Sequence, residues 1–175
     1  FLKEKYGEKV YKVPIKLNLT CPNRDGNCGY GGCIFCGEEG GSFENNIGSI
    51  ADQIKQEKDL ILKKYKAKKY IAYFQNFTNT YGSLEALKNI YDEVVNRDDI
   101  VGISIATRCD CLDDEKIKYL KDLSHKKTLW LELGMQSVKE DTIKLINRGY
   151  SHQVFDESVS KLKEANLLFL IQMSS

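Results

Sequence analysis

The sequence predicts an α/β fold in which a parallel sheet is covered by helices. Apolar runs of strand length alternate along the chain with stretches of helical periodicity. Those runs are apolar through most of their length, the pattern of strands buried on both faces. With only two prolines and no low-complexity tract, nothing divides the 175 residues, and they read as one domain. A chain of that length buries a core without disulfide staples.

The elements follow in order. "YKVPIKLNLT" (11–20) is a strand that runs into a glycine-rich, cysteine-rich loop. "SIADQIKQEKDLILKKYK" (49–66) carries Ile50, Ile54, Ile61 and Leu62 at helical spacing. "KYIAYFQNF" (69–77) is a strand, and "SLEALKNIYDEVVN" (83–96) a helix in which Ser83 and Ala86 stand like an N-cap and its first turn. The alternation repeats: "IVGISIAT" (100–107) strand, "DDEKIKYLKDLS" (113–124) helix, "TLWLELGMQ" (128–136) strand. "KEDTIKLIN" (139–147) and "HQVFDESVSKLKEA" (152–165) are helices, and "NLLFLIQM" (166–173) is the fifth strand. Right-handed crossovers join such strands. An open doubly wound sheet and a portion of a β/α barrel both fit, and in both the chemistry gathers where strands end and the next loop begins. The cysteine loop follows the first strand and lies at that rim.

Lys plus Arg number 26 against 25 Asp plus Glu, so the chain has no global field for nucleic acid or anionic membrane, and such a partner must be sought locally. No apolar stretch approaches the ~20 residues of a spanning helix, and "FLKEKYGEKVYK" at the amino end has no signal-peptide h-region. The expectation is a soluble, cytoplasmic protein with no membrane partner. In that reducing compartment, six cysteines point to metal ligands or catalytic thiols before disulfides. The chain has no initiator Met, and its last apolar run stops at Ser174 and Ser175, which reads as a fragment.

"CPNRDGNCGYGGCIFC" holds Cys21, Cys28, Cys33 and Cys36. Cys33 and Cys36 form a C-x-x-C pair, and Gly26, Gly29, Gly31 and Gly32 let the backbone fold closely around a bulky group. Four readings compete. A structural zinc site would use all four thiols, but its usual form is two C-x-x-C knuckles. A redox pair needs only Cys33 and Cys36. A buried cluster of thiols without a ligand suits so polar a loop poorly. The fourth reading is an iron–sulfur cluster held by three thiolates, with one iron left open. A non-catalytic, zinc-stabilised RNA-binding domain is the rival to an enzyme.

The C-x11-C-x2-C spacing at the end of a first strand, with Phe35 before the last cysteine, resembles the cluster loop of radical S-adenosylmethionine enzymes. With "YFQNFTNTY", "SIATRCDCL" and "LWLELGMQS…INRGY" in the right order, the chain from about Tyr11 to Tyr150 resembles a branch of that superfamily close to the Elongator catalytic-subunit-like group.

The resemblance implies a partial (β/α) barrel, truncated after the fifth strand. It implies a four-iron four-sulfur cluster on Cys21, Cys33 and Cys36, with Cys28 spare, and S-adenosylmethionine on the open iron. Phe35 would pack near the adenine. Where relatives carry a glycine-rich "GGE" segment this chain has "FQNFTNTYG", so Gln75 and Asn79 become polar substitutes. Gln136 would hold the ribose and Arg148 the methionine carboxylate, a fit for a guanidinium fork. Ser104 stands where some relatives present a glutamate. A reductant such as flavodoxin or ferredoxin is implied, and a tRNA wobble uridine is the substrate by analogy.

Other residues are read without the resemblance. Trp130, Glu132, Gly134 and Gln136 share one face of their strand, and an acid inside a sheet is costly unless paired, so a polar site is expected there. Cys109 and Cys111 lie at the same rim, too few for a second cluster. His125 and His152 lack metal-ligand spacing. The run "KKYKAKKY" (63–70) is a solvated helix end in its ordinary reading and a contact for RNA phosphates in the other.

Overall fold

The computed structural model describes residues 2–37 and 48–173. Five parallel strands form one sheet in the order β1-β2-β3-β4-β5: β1 Val10–Ile15, β2 Lys69–Phe74, β3 Ile100–Thr107, β4 Thr128–Gln136 and β5 Leu168–Met173. The helices are α1 Leu2–Tyr6, α2 Ile50–Leu62, α3 Leu84–Val95, α4 Asp114–Lys126, α5 Glu140–Leu145 and α6 His152–Glu164. Strand order equals chain order. A doubly wound sheet reverses its order at a switch point; this sheet has no reversal, so it is the open portion of a barrel.

Local chemistry sets the boundaries. Ser49 and Asp52 close a reciprocal capping box on α2, and Ser83, Asp113 and Ser151 cap α3, α4 and α6 through side-chain oxygens. β1 stops at Ile15, short of the predicted Thr20. Beyond it, the amide of buried Gln53 on α2 receives the Lys16 N–H at 2.8 Å and donates to the Lys16 carbonyl at 3.0 Å. A side chain there takes the place of a neighbouring strand.

The two faces of the sheet differ. Val13, Ile15, Phe74, Ile103, Ile105, Leu131 and Leu133 pack beneath the helices with Ile54, Leu87, Tyr91, Leu120 and Leu162. Around Glu132 the opposite face gathers Lys12, Tyr73, Ser104, Trp130 and Gln172. β5 is an edge strand, and Leu168, Leu170, Ile171 and Met173 on it are exposed. Among the described residues no helix is long and apolar enough to cross a membrane.

Candidate functional site

An open cleft of about 210 Å³ lies where the strands end. Cys21, Cys33 and Cys36 form one wall, Gln75, Phe77 and Thr78 another, and Glu132, Gly134 and Gln136 the β4 side.

The cysteine loop is held mainly by its own backbone and by amide side chains. Cys28 N–H and Gly29 N–H both reach the Pro22 carbonyl, and Cys36 N–H reaches that of Cys33 at 2.9 Å. Gly31 and Gly32 have φ of 78° and 77°, a conformation that disfavours a side chain. Asn23, fully buried, donates its Nδ2 to Cys33 Sγ at 3.6 Å and to the Asn147 carbonyl at 2.5 Å. Asn147 returns a bond to the Gly32 carbonyl at 2.8 Å, so the cysteine loop is tied to the α5–α6 turn. Arg24 clamps the loop's end through the carbonyls of Cys36 and Gly37 and lies 5.2 Å from the Phe77 ring centre. Burial pushes the Cys33 and Cys36 thiols up, opposed by Asn23 at Cys33 and by Arg24 at Cys36. Cys28 is exposed, its Sγ 3.7 Å from Asp110 Oδ2.

Two buried arginines form the floor beside the loop. The Tyr150 ring lies 4.9 Å from the Arg108 guanidinium and 4.2 Å from that of Arg148. Arg108 is bidentate to Asp110 (2.9 and 2.7 Å) and donates to the Arg148 carbonyl at 2.7 Å. Burial works against its charge, yet Asp110 holds its pKa above the usual arginine value. Arg148, 1% exposed, bonds the carbonyls of Tyr150, Met135 and Ser137. On the inner face, Glu132 accepts from Ser104 (2.7 Å), Gln172 (2.8 Å), Tyr73 (3.2 Å), Trp130 (3.3 Å) and Lys12 (3.5 Å). Burial would raise its pKa, but Ser104, Lys12, Trp130 and Tyr73 together leave it below the usual glutamate value. The same burial and the adjacent carboxylate push Tyr73 up to about 12.

The sequence between residues 23 and 173 matches the model of the Radical SAM superfamily. The chain belongs to that superfamily. It is 45% identical over 165 residues to the uncharacterized protein YtqA of Bacillus subtilis and 35% identical over 170 residues to YhcC of Escherichia coli, covering 93% and 95% of this chain. The chain spans about half the length of these curated relatives, 51% and 53%. Among solved structures, Elp3 of the archaeon Methanocaldococcus infernus superposes with a TM-score of 0.63 at 17% identity, over 94% of this chain and 37% of that one. That likeness shows the radical SAM fold, an incomplete barrel here.

Of the residues read from the sequence, the cleft brings together Cys21, Cys33, Cys36, Phe35, Gln75, Gln136 and Arg148. Gln136, with φ of 65°, ends β4 at a register irregularity that turns the strand. Asn79 lies apart: its Nδ2 is spent on the Phe74 and Ala106 carbonyls, bracing β2 against β3, and it does not line the cleft. Ser104 reaches the site only through Glu132. Arg148 lines the cleft, but main-chain carbonyls take its Nε and both terminal nitrogens.

Sequence reasoning missed Asn23, Thr78, Arg108 and Tyr150. Thr78 is 1% exposed and lines the cleft, with a hydroxyl that has no partner among the described residues. Its signal was its place one residue from Asn79 in "FQNFTNTY"; nothing in that run marks which polar group turns inward.

Proposed function

We propose that Cys21, Cys33 and Cys36 carry a four-iron four-sulfur cluster and that the cleft beside them takes S-adenosylmethionine. Two features support the fit. Cys21, Cys33 and Cys36 line one cleft at a C-x11-C-x2-C spacing with a single C-x-x-C pair, which suits a polynuclear cluster with one thiolate per iron better than the paired knuckles of a zinc site. The orphaned Thr78 hydroxyl supplies the wall opposite with an unsatisfied polar group, which costs free energy until a ligand pairs with it.

When bound, the cluster supplies the electron that splits the sulfonium and releases a deoxyadenosyl radical for hydrogen abstraction. The chain's own residues bind, orient and exclude water. Asn23 supplies an N–H to the Cys33 sulfur, favouring its thiolate form. Phe35 and Phe77 shield the adenosyl group, Gln136 holds the ribose, and Gln75 and Thr78 receive the methionine amino group. Arg108 and Arg148 give the carboxylate a positive floor, Arg148 chiefly by fixing the turn that carries it. A cytoplasmic flavodoxin or ferredoxin delivers the electron. The substrate on this reading is the side chain of a tRNA wobble uridine.

The observation that carries the proposal is three cysteines at one cleft with a fourth, Cys28, directed to Asp110. Anaerobic reconstitution tests it: about four irons per chain, deoxyadenosine released on reduction with S-adenosylmethionine, both lost in Cys33→Ala and kept in Cys28→Ala. A colourless zinc protein that loses its metal in Cys28→Ala overturns it in favour of a zinc-stabilised domain.

A further inference from the structure

We propose that residues 63–69, with Lys9 and the Tyr11–Tyr65 pair, form a docking surface for an RNA backbone, separate from the cleft. Five lysines and no acid occupy these seven positions in a chain whose formal charge is only +1, so the rest of the chain carries a net −4. Lys63, Lys64, Lys66 and Lys68 are exposed. Among the described residues none of these four is ion-paired, whereas Lys58 and Lys69 are held by Asp99 and Glu8. A helix C-terminus favours a cation within its last turn, which accounts for Lys63 and Lys64 but not for Lys66 and Lys68 beyond it.

The fold adds what the run alone lacks. Tyr65, 48% exposed, packs against Tyr11 of β1 with ring centres 5.1 Å apart and planes tilted by 31°, and Lys9 sits 5.1 Å from both rings. Charge and an exposed ring together suit phosphates and an unpaired base. A membrane surface fits less well: exposed Leu60 and Leu62 are two residues apart on α2 and do not share a face.

The surface lies where β1 and β2 begin, and the cleft lies where they end. Six strand residues separate them by roughly 20 Å. A mononucleotide cannot occupy both, whereas a folded RNA can. The inference rests on the RNA part of the reading above and not on the cofactor chemistry, and the two fail separately.

The test is fluorescence anisotropy of the intact chain with a labelled, unmodified tRNA transcript across a potassium chloride series. The K63Q/K64Q/K66Q/K68Q variant should bind at least about tenfold more weakly at 0.1 M salt, with a log–log salt slope shallower by roughly three, at about 0.7–0.9 for each of the four phosphates no longer neutralised. A K118Q/K126Q/K144Q/K163Q variant, with the same charge change at other exposed lysines, should bind like the parent. Deoxyadenosine release should be unchanged in both. Parent-like RNA binding by the first variant overturns the proposal, as does an equal loss in the second. Lysine-dependent binding to phosphatidylserine vesicles or to an acidic protein without RNA binding also overturns it.

Discussion

Glu132 and Arg148 are both buried ions at the same cleft, and they are neutralised in opposite ways. Glu132 lies mid-sheet and receives a side-chain donor from every strand: Lys12 on β1, Tyr73 on β2, Ser104 on β3, Trp130 on β4 and Gln172 on β5. Arg148 lies in the α5–α6 turn, where its guanidinium meets the carbonyls of Met135, Ser137 and Tyr150 and the face of the Tyr150 ring in place of a carboxylate. The first charge is shared by many replaceable side chains. The second is a keystone for the main chain around it. Removing a partner from a buried carbonyl costs its full desolvation, whereas a carboxylate with five donors loses only a fraction when one departs.

Arg148→Met carries the largest expected effect. The substitution keeps the apolar stem and strands the Tyr150 carbonyl, which takes two of the guanidinium N–H groups, while the Met135 carbonyl keeps the Ser137 N–H, so unfolding in urea should show a loss of about 3 kcal/mol. A loss under about 1 kcal/mol would mean that water or Arg108 takes over, and the keystone reading fails. Glu132→Gln is gentler, at about 2 kcal/mol, because its carbonyl still accepts while its amide faces donors. Its pH dependence has a definite sign. The folded carboxylate titrates below its ordinary value of 4.5, so its contribution is present above that value and is lost as pH falls through the lower folded value. The gap between parent and variant should therefore be widest near neutrality and close in acid. A gap independent of pH would remove the charge from the account.

The same contrast explains what could be read from the sequence. Period two in "LWLELGMQ" placed Trp130, Glu132, Gly134 and Gln136 on one face, because a strand's geometry is local. The five parallel strands and the N-cap at Ser83 were legible for the same reason. The cysteine spacing pointed to the rim, and the resemblance supplied its chemistry. Arg108, Asn23 and Thr78 were not legible, since their roles depend on a turn far along the chain from Asn23 and on which side of an irregular loop each group faces. Asn79 was read into the cleft from its neighbours, yet a buried amide that can reach two strand-end carbonyls is drawn to them. β1 ended early because Gln53, from another element, completed its hydrogen bonds.

Lys12→Met removes the weakest of the five donors to Glu132. Lys12 is the formal cation on Glu132, but its contact is long at 3.5 Å and its side chain is half exposed, so solvent screens most of the attraction. It also lies 4.1 Å from the centre of the Tyr73 ring, a contact that methionine partly replaces. The expected change in stability is about 0.5 kcal/mol, with the Glu132 titration moving upward because one of the groups holding it down has gone. Titration of Glu132 by carboxyl-carbon NMR reads the second quantity independently of the first. A small stability change with an upward titration is what a shared charge gives. A loss as large as that of Glu132→Gln would instead make Lys12 the essential counter-ion, and the five strands would no longer be sharing the load.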